Sequence, residues 1–90
     1  MEWKLFADLA EVAGERRVEV DAEADTAGEA LDALLDAVPA LRERVLDDSG
    51  DLAEHVNLLR NGENVAGAEG LATPVDPGDE LALFPPVSGG

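Results

Sequence analysis

The side chains of this 90-residue chain that could do chemistry make a short inventory. There is no cysteine, which excludes disulfides, thiolate metal sites, iron–sulfur clusters and a cysteine nucleophile. Nucleophilic catalysis needs a base and an orienting group within reach of the nucleophile. The candidates are the single histidine, His55, and the hydroxyls of Thr26, Ser49, Thr73 and Ser88. Thr26 is better explained as a helix cap and Ser88 lies in the last six residues. His55 stays open as a catalytic group or as a residue at the surface or edge of a strand. Carboxylates are so abundant that pairing among them carries no information. A calcium loop opening at Asp47 would use Asp47, Ser49 and Asp51, but Leu52 and Leu58 stand where that loop needs a glycine and a bidentate glutamate. No metal site is expected. The glycines sit at turns or at the C-terminus rather than after a strand, so no phosphate cradle is expected either.

What remains is the tail Pro85-Pro86-Val87-Ser88-Gly89-Gly90. Two prolines favour extended geometry and cannot prolong the hydrogen bonding of a preceding strand, so they separate core from tail. Six residues at about 3.3 Å each carry the terminus roughly 20 Å from the fold, far enough to enter another protein's active site. Gly89 and Gly90 have no Cβ, so the final carbonyl can pass a narrow channel and be attacked without steric cost. A carboxylate must be activated before acyl transfer, and this inventory supplies no machinery for it. The competing reading is ordinary terminal disorder.

The elements that must position this tail follow from periodicity. Met1 to Ala7 alternates Trp3, Leu5 and Ala7 against Lys4 and Phe6, the pattern of a half-buried strand. Asp8 to Ala13 has helical spacing and Gly14 can close it. Arg16 to Val20 alternates again and can pair antiparallel with the first strand. Thr26 and Glu29 have capping-box spacing and open the clearest helix, with Ala27, Ala30, Leu31, Leu34, Leu35 and Val38 on one face. Pro39 ends it, and Pro39 to Leu46 forms a shorter helical piece. Asp47 to Asp51 is a loop. His55 to Arg60 is a strand, Asn61-Gly62 a tight hairpin turn, and a short return runs through Val65. Ala66 to Pro74 has too many small residues to assign. After a turn at Pro77-Gly78-Asp79, Glu80 to Phe84 is the last strand.

This order describes an α+β fold of the β-grasp type: a mixed sheet of four to five strands packed on one main helix, with first and last strands parallel and adjacent. Residues 1–84 form the domain and 85–90 a flexible tail. A ferredoxin-like sandwich is the alternative.

Twenty-one acidic residues against six basic ones give a net charge of −15, so neither nucleic acid nor an anionic membrane surface is an expected partner. The acids interleave with apolar residues instead of forming a block, which argues for a folded domain. Such acidity is a solvated surface or an adaptation to molar salt, where the Debye length falls to roughly 3 Å and self-repulsion is screened. There is no long apolar run and no secretion signal, so the expected location is the cytoplasm. The expected state is a monomer.

The segment Gly78-Asp79-Glu80-Leu81-Ala82-Leu83-Phe84 with its tail resembles the end of MoaD-type sulfur carriers and, still more, the small archaeal modifier proteins of the MoaD/ThiS superfamily. Leu5-Phe6-Ala7 with Leu9, Val12 and Gly14, and Val56-Asn57 before the hairpin, fit the same family. The resemblance implies a ubiquitin-like modifier and sulfur carrier that is a cosubstrate and not an enzyme. An E1-like enzyme would use ATP and magnesium to adenylate the Gly90 carboxylate, and the chain itself would bind no cofactor. The activated acyl group would then form an isopeptide bond with target-protein lysines, or a thiocarboxylate that donates sulfur for molybdopterin synthesis with a MoaE-type large subunit. A dedicated molybdopterin-synthase subunit without conjugation, a plain interaction domain with an inert tail and a carboxylate hydrolase are the alternatives. The resemblance also implies a partner surface around the tail's base, matched here by Phe6, Arg60, Phe84, Pro85 and Pro86. Arg60 stands where an apolar contact is expected, and Phe6 and Phe84 serve either that surface or the core. Lys4 is the one internal lysine and so the one internal acceptor for self-linkage.

Overall fold

The computed structural model describes residues 1–21, 23–53 and 56–84. Five strands form one mixed sheet: β1 (Glu2–Leu5), β2 (Arg17–Glu19), β3 (Asn57–Arg60), β4 (Glu63–Asn64) and β5 (Glu80–Phe84), in the order β2-β1-β5-β3-β4. The central pair β1 and β5 is parallel, with Trp3 opposite Leu81 and Leu5 opposite Leu83. The other pairings are antiparallel. A parallel first and last strand at the centre of the sheet is the β-grasp arrangement and sets the ferredoxin-like sandwich aside.

Helix α2 (Ala27–Ala37) lies on one face of this sheet, with α1 (Asp8–Ala13) and the short α3 (Arg42–Val45) beside it. Thr26 Oγ1 accepts the Glu29 backbone N–H at 3.2 Å. The reciprocal bond of the expected capping box is shifted by one residue: Glu29 Oε1 accepts from the Asp25 N–H at 3.3 Å. Ala27, Ala30, Leu31, Leu34 and Leu35 form the buried stripe. Each such leucine contributes about 1.5–3 kcal/mol relative to exposure. Pro39 forces Val38 into an extended conformation (φ −131°, ψ 77°), which ends α2 and starts a 3-10 turn, Pro39–Leu41. Leu41 and Val45 close the core beneath it.

Asn61 (φ 49°) and Gly62 (φ 87°) make the tight hairpin turn expected of that dipeptide, though β4 is only two residues long. The first strand stops at Leu5 instead of reaching Ala7, because Ala7 adopts φ 54° and turns the chain into α1. His55, where the sequence spacing starts the third strand, lies outside the described residues. The unassigned segment 66–74 packs as a 3-10 turn, Gly70–Ala72, against the start of α2. There Ala27 N–H donates to Thr73 O at 2.9 Å, and a Cβ on Gly28 would stand 3.2 Å from both Leu71 Cβ and its carbonyl oxygen.

Candidate functional site

Alternation divides every strand between two environments. Trp3, Leu5, Val18, Leu58, Leu81 and Leu83 are buried beneath the helices. Lys4, Leu59, Ala82, Phe84 and Asn57 occupy the opposite, open face. β5 is the central strand of the sheet, hydrogen-bonded by β1 on one side and by β3 on the other, and the tail follows it in sequence.

The end of that strand is marked by an aromatic pair. The rings of Phe6 and Phe84 stack with centroids 4.1 Å apart and planes 10° from parallel. Neither ring belongs to the core: Phe84 is half-buried, and Phe6, at 37% exposure, is an exposed large apolar side chain. Of the two sequence readings of these residues, the surface position is the one observed. On the other side of Phe84 the register places Asn57, whose Oδ1 accepts from Asn64 Nδ2 at 3.0 Å. Sequence reasoning did not single out Asn57 or Asn64 as neighbours of the tail's base. The hairpin signal at Asn61-Gly62, which sets Asn64 against Leu59, was the available clue.

Arg60 is not brought to this cluster. It pairs with Leu81, three register positions back from Phe84, and has the helix-side parity of Leu58. Its Nε lies 2.6 Å from Asp79 Oδ2 and its Nη2 3.6 Å from Asp76. Asp79 Oδ2 also accepts the Asp76 N–H at 2.7 Å, and Asp79 Oδ1 accepts from Asn61 Nδ2 at 3.0 Å. The Asp79 carboxyl is thereby held below the usual carboxylate range, first by the Asp76 N–H and then by the Arg60 and Asn61 donors, against the opposing effect of desolvation. The same contact with Asp79 holds the Arg60 proton more firmly. Asn61 also exchanges bonds with Glu80, its N–H donating to Glu80 O at 2.8 Å and its Oδ1 accepting the Glu80 N–H at 3.0 Å. This clasp fixes the β3 hairpin to the start of β5, and so the register at the other end, where Phe84 sits.

Lys4 lies on the open face two residues before Phe6, its Nζ 3.1 Å from Glu80 Oε1. Pro85, Pro86, Gly89 and Gly90, with Ser88, lie outside the described residues. Among the described residues no group of three or more His, Asp or Glu side chains is placed to hold a metal ion, and no helix is long and apolar enough to cross a membrane.

This fold recurs in known proteins. The chain matches the ThiS family over residues 3–90. It is 64% identical to small archaeal modifier protein 1 of Haloferax volcanii over the full length of both chains. The crystal structure of that protein superposes with a TM-score of 0.89 at 62% identity, covering 100% of this chain and 98% of the other. The sulfur carrier protein CysO of Mycobacterium tuberculosis is 37% identical over 73 residues, 79% of this chain and 78% of the relative. A crystal structure of the BexX/CysO complex of Amycolatopsis orientalis matches with a TM-score of 0.84 at 27% identity, covering 99% of this chain and 98% of that one. With the family match running through residue 90 and a 64% identical relative matched over its full length, the chain belongs to the ThiS family, among the ubiquitin-like small archaeal modifiers and sulfur carriers.

Proposed function

We propose that this chain is an acyl cosubstrate whose Gly90 carboxylate is adenylated by an E1-like partner using ATP and magnesium. The carboxylate attacks the α-phosphate, pyrophosphate leaves, and the resulting mixed anhydride carries AMP as leaving group. A lysine amine of a target protein displaces AMP to give an isopeptide bond, or a sulfur donor displaces it to give a thiocarboxylate that passes sulfur to a molybdopterin precursor. Both outcomes use the same activated tail. The names of the relatives, a protein modifier and a sulfur carrier, support the pair, and a CysO crystallised with BexX supports a protein partner.

The observation that carries this reading is the seating of β5. A strand hydrogen-bonded on both sides ends at an aromatic pair outside the core, immediately before the tail. A partner gripping that pair receives the tail from a fixed origin, which is the positioning an acyl-transfer substrate needs.

Deleting Gly89 and Gly90 tests it. The deletion is expected to abolish both conjugates and thiocarboxylate while leaving the fold intact, as read by intact mass of the protein from cells and by dispersed amide spectra. Conjugates persisting after the deletion would refute the reading. Trypsin digests are unsuited to the search, because no Lys or Arg follows Arg60 and residues 61–90 would stay on the target lysine.

A further inference from the structure

Six cations serve a chain of net charge −15, and their placement is uneven. Arg42, Arg44 and Arg60 are each spent on a close carboxylate: Asp36 at 2.8 Å, Asp8 at 2.5 Å and Asp79 at 2.6 Å. The other three, Lys4, Arg16 and Arg17, line a single depression of about 540 Å³, beside Phe6 at the end of the sheet from which the tail follows. Among the described residues no carboxylate-bearing side chain lines it, although acids outnumber bases 21 to 6 in the chain. Lys4 shares Glu80 at 3.1 Å, Arg17 reaches Glu2 only at 3.9 Å, and among the described residues Arg16 has no carboxylate within 4.0 Å. The adjoining depression, by contrast, is lined by Glu11 and Glu15 together with Arg16. Cation and acid are thus sorted across Arg16.

We propose that the depression lined by Lys4, Phe6, Arg16 and Arg17 docks an acidic segment of the partner that activates the tail. Its Asp or Glu side chains would meet the cations while an apolar neighbour lies against the Phe6 ring. Close-range repulsion by the carboxylates that cover the rest of a −15 surface disfavours acidic segments elsewhere, so a local concentration of cations admits such a segment at one place and in one orientation. Guanidinium groups suit the task, since they bind carboxylates bidentately and at contact distance, within the roughly 3 Å Debye length of molar salt. The pairing of β1 with β2, which sets Lys4 opposite Arg17, holds the cations together. That the partner is the activating enzyme rests on the function proposed above; the chemistry of the site does not.

The site is tested on the full-length, 15N-labelled protein with three probes: a synthetic peptide Glu-Phe-Glu-Glu-Leu-Glu, its Lys-for-Glu counterpart, and inorganic phosphate. The acidic peptide is expected to shift the amides of Lys4 to Ala7, Arg16 and Arg17 saturably, and Arg16→Glu with Arg17→Glu to weaken it about tenfold or more. Arg16→Gln with Arg17→Gln, a milder pair, should weaken it less. Equal binding of the lysine peptide, phosphate shifting these amides as strongly as the peptide, or unchanged binding by both variant pairs would each overturn the proposal. In cells, the Glu pair should lower conjugates about tenfold. If conjugates vanish on Gly89–Gly90 deletion but stay at wild-type level in the Glu pair, the docking site fails and the function stands. If they survive the deletion, the function fails, and the peptide titration still decides the site.

Discussion

The Phe6 ring stacks on the Phe84 ring at 4.1 Å, joining the end of β1 to the last residue before the tail. The two are brought together by parallel pairing, since Leu5 opposite Leu83 places the next residue of each strand side by side on the open face. A one-residue slip of β5 would bury Phe84 and expose Leu83. The stack therefore records the register, and the Arg60–Asp79–Asn61 clasp at the far end of β3 and β5 defends it.

Phe6→Ala is expected to separate docking from folding. The lost stack is worth about 1 kcal/mol at an exposed site, so the melting temperature should fall by only a few degrees. Conjugates and thiocarboxylate should fall about tenfold or more, because exposed aromatics at the centre of a contact carry much of its binding energy. A Phe6→Ala protein activated at the wild-type rate would mean that the partner grips elsewhere.

Asp79 sets an acid limit on stability. Its folded pKa lies below the unfolded value, so its contribution is fully present above about pH 4 and is lost as the pH falls through the folded pKa. Asp79→Asn removes that dependence and turns one accepting oxygen into a donor, facing either the Asn61 amide or Arg60 and the Asp76 N–H. At neutral pH the cost should be about 1–3 kcal/mol, and the variant should lose less further stability than wild type between pH 5 and pH 2. The fully buried Trp3, the one tryptophan, is the fluorescence probe for both measurements.

Much of the frame was legible because it is written in local chemistry. Thr26 at helical distance from Glu29, Asn61-Gly62, and the alternation from Glu80 to Phe84 each need no distant partner to be recognised. Segment 66–74 escaped because it has no periodicity of its own; its shape comes from lying on α2 at Gly28. Arg60 was placed at the tail's base because nothing local reveals that β3 and β5 pair in the register that sends it to Asp79. The cation-lined depression was hidden for a related reason, since Lys4 and Arg17 meet only across β1 and β2. The Gly-Gly tail was the opposite case: its chemistry lies entirely in sequence, and residues 85–90 lie outside the described structure.

Self-linkage at Lys4 is expected to slow activation. It lines the same depression as Arg16 and Arg17 and precedes Phe6 by two residues on the open face. An acyl group on its Nζ would remove a cation and place a second protein over the proposed docking surface. A copy acylated at Lys4 should thus be adenylated at its own tail about tenfold more slowly or worse than a free copy, as measured by pyrophosphate release with the activating enzyme. Lys4→Arg should abolish lysine-linked dimers. The Met1 ammonium is the other amine available, and it is held by Glu19 Oε1 at 3.3 Å and Val20 O at 3.2 Å.

The acidic surface predicts a salt response. Twenty-one carboxylates face six cations, and the cations are gathered into a few pairs and one depression, so most of the negative charge repels itself. Raising ionic strength from 0.1 M to 1 M shortens the Debye length from about 10 Å to about 3 Å. Relief of about 2 kcal/mol of repulsion would raise the melting temperature by roughly 10 °C in a domain of this size. Screening can be separated from other effects of salt by neutralising two exposed acids, Glu23→Gln and Asp48→Asn. If repulsion is the cause, this pair raises the melting temperature in dilute buffer and leaves it unchanged in molar KCl. A wild-type midpoint that does not rise with KCl would make the acidity a matter of solubility alone.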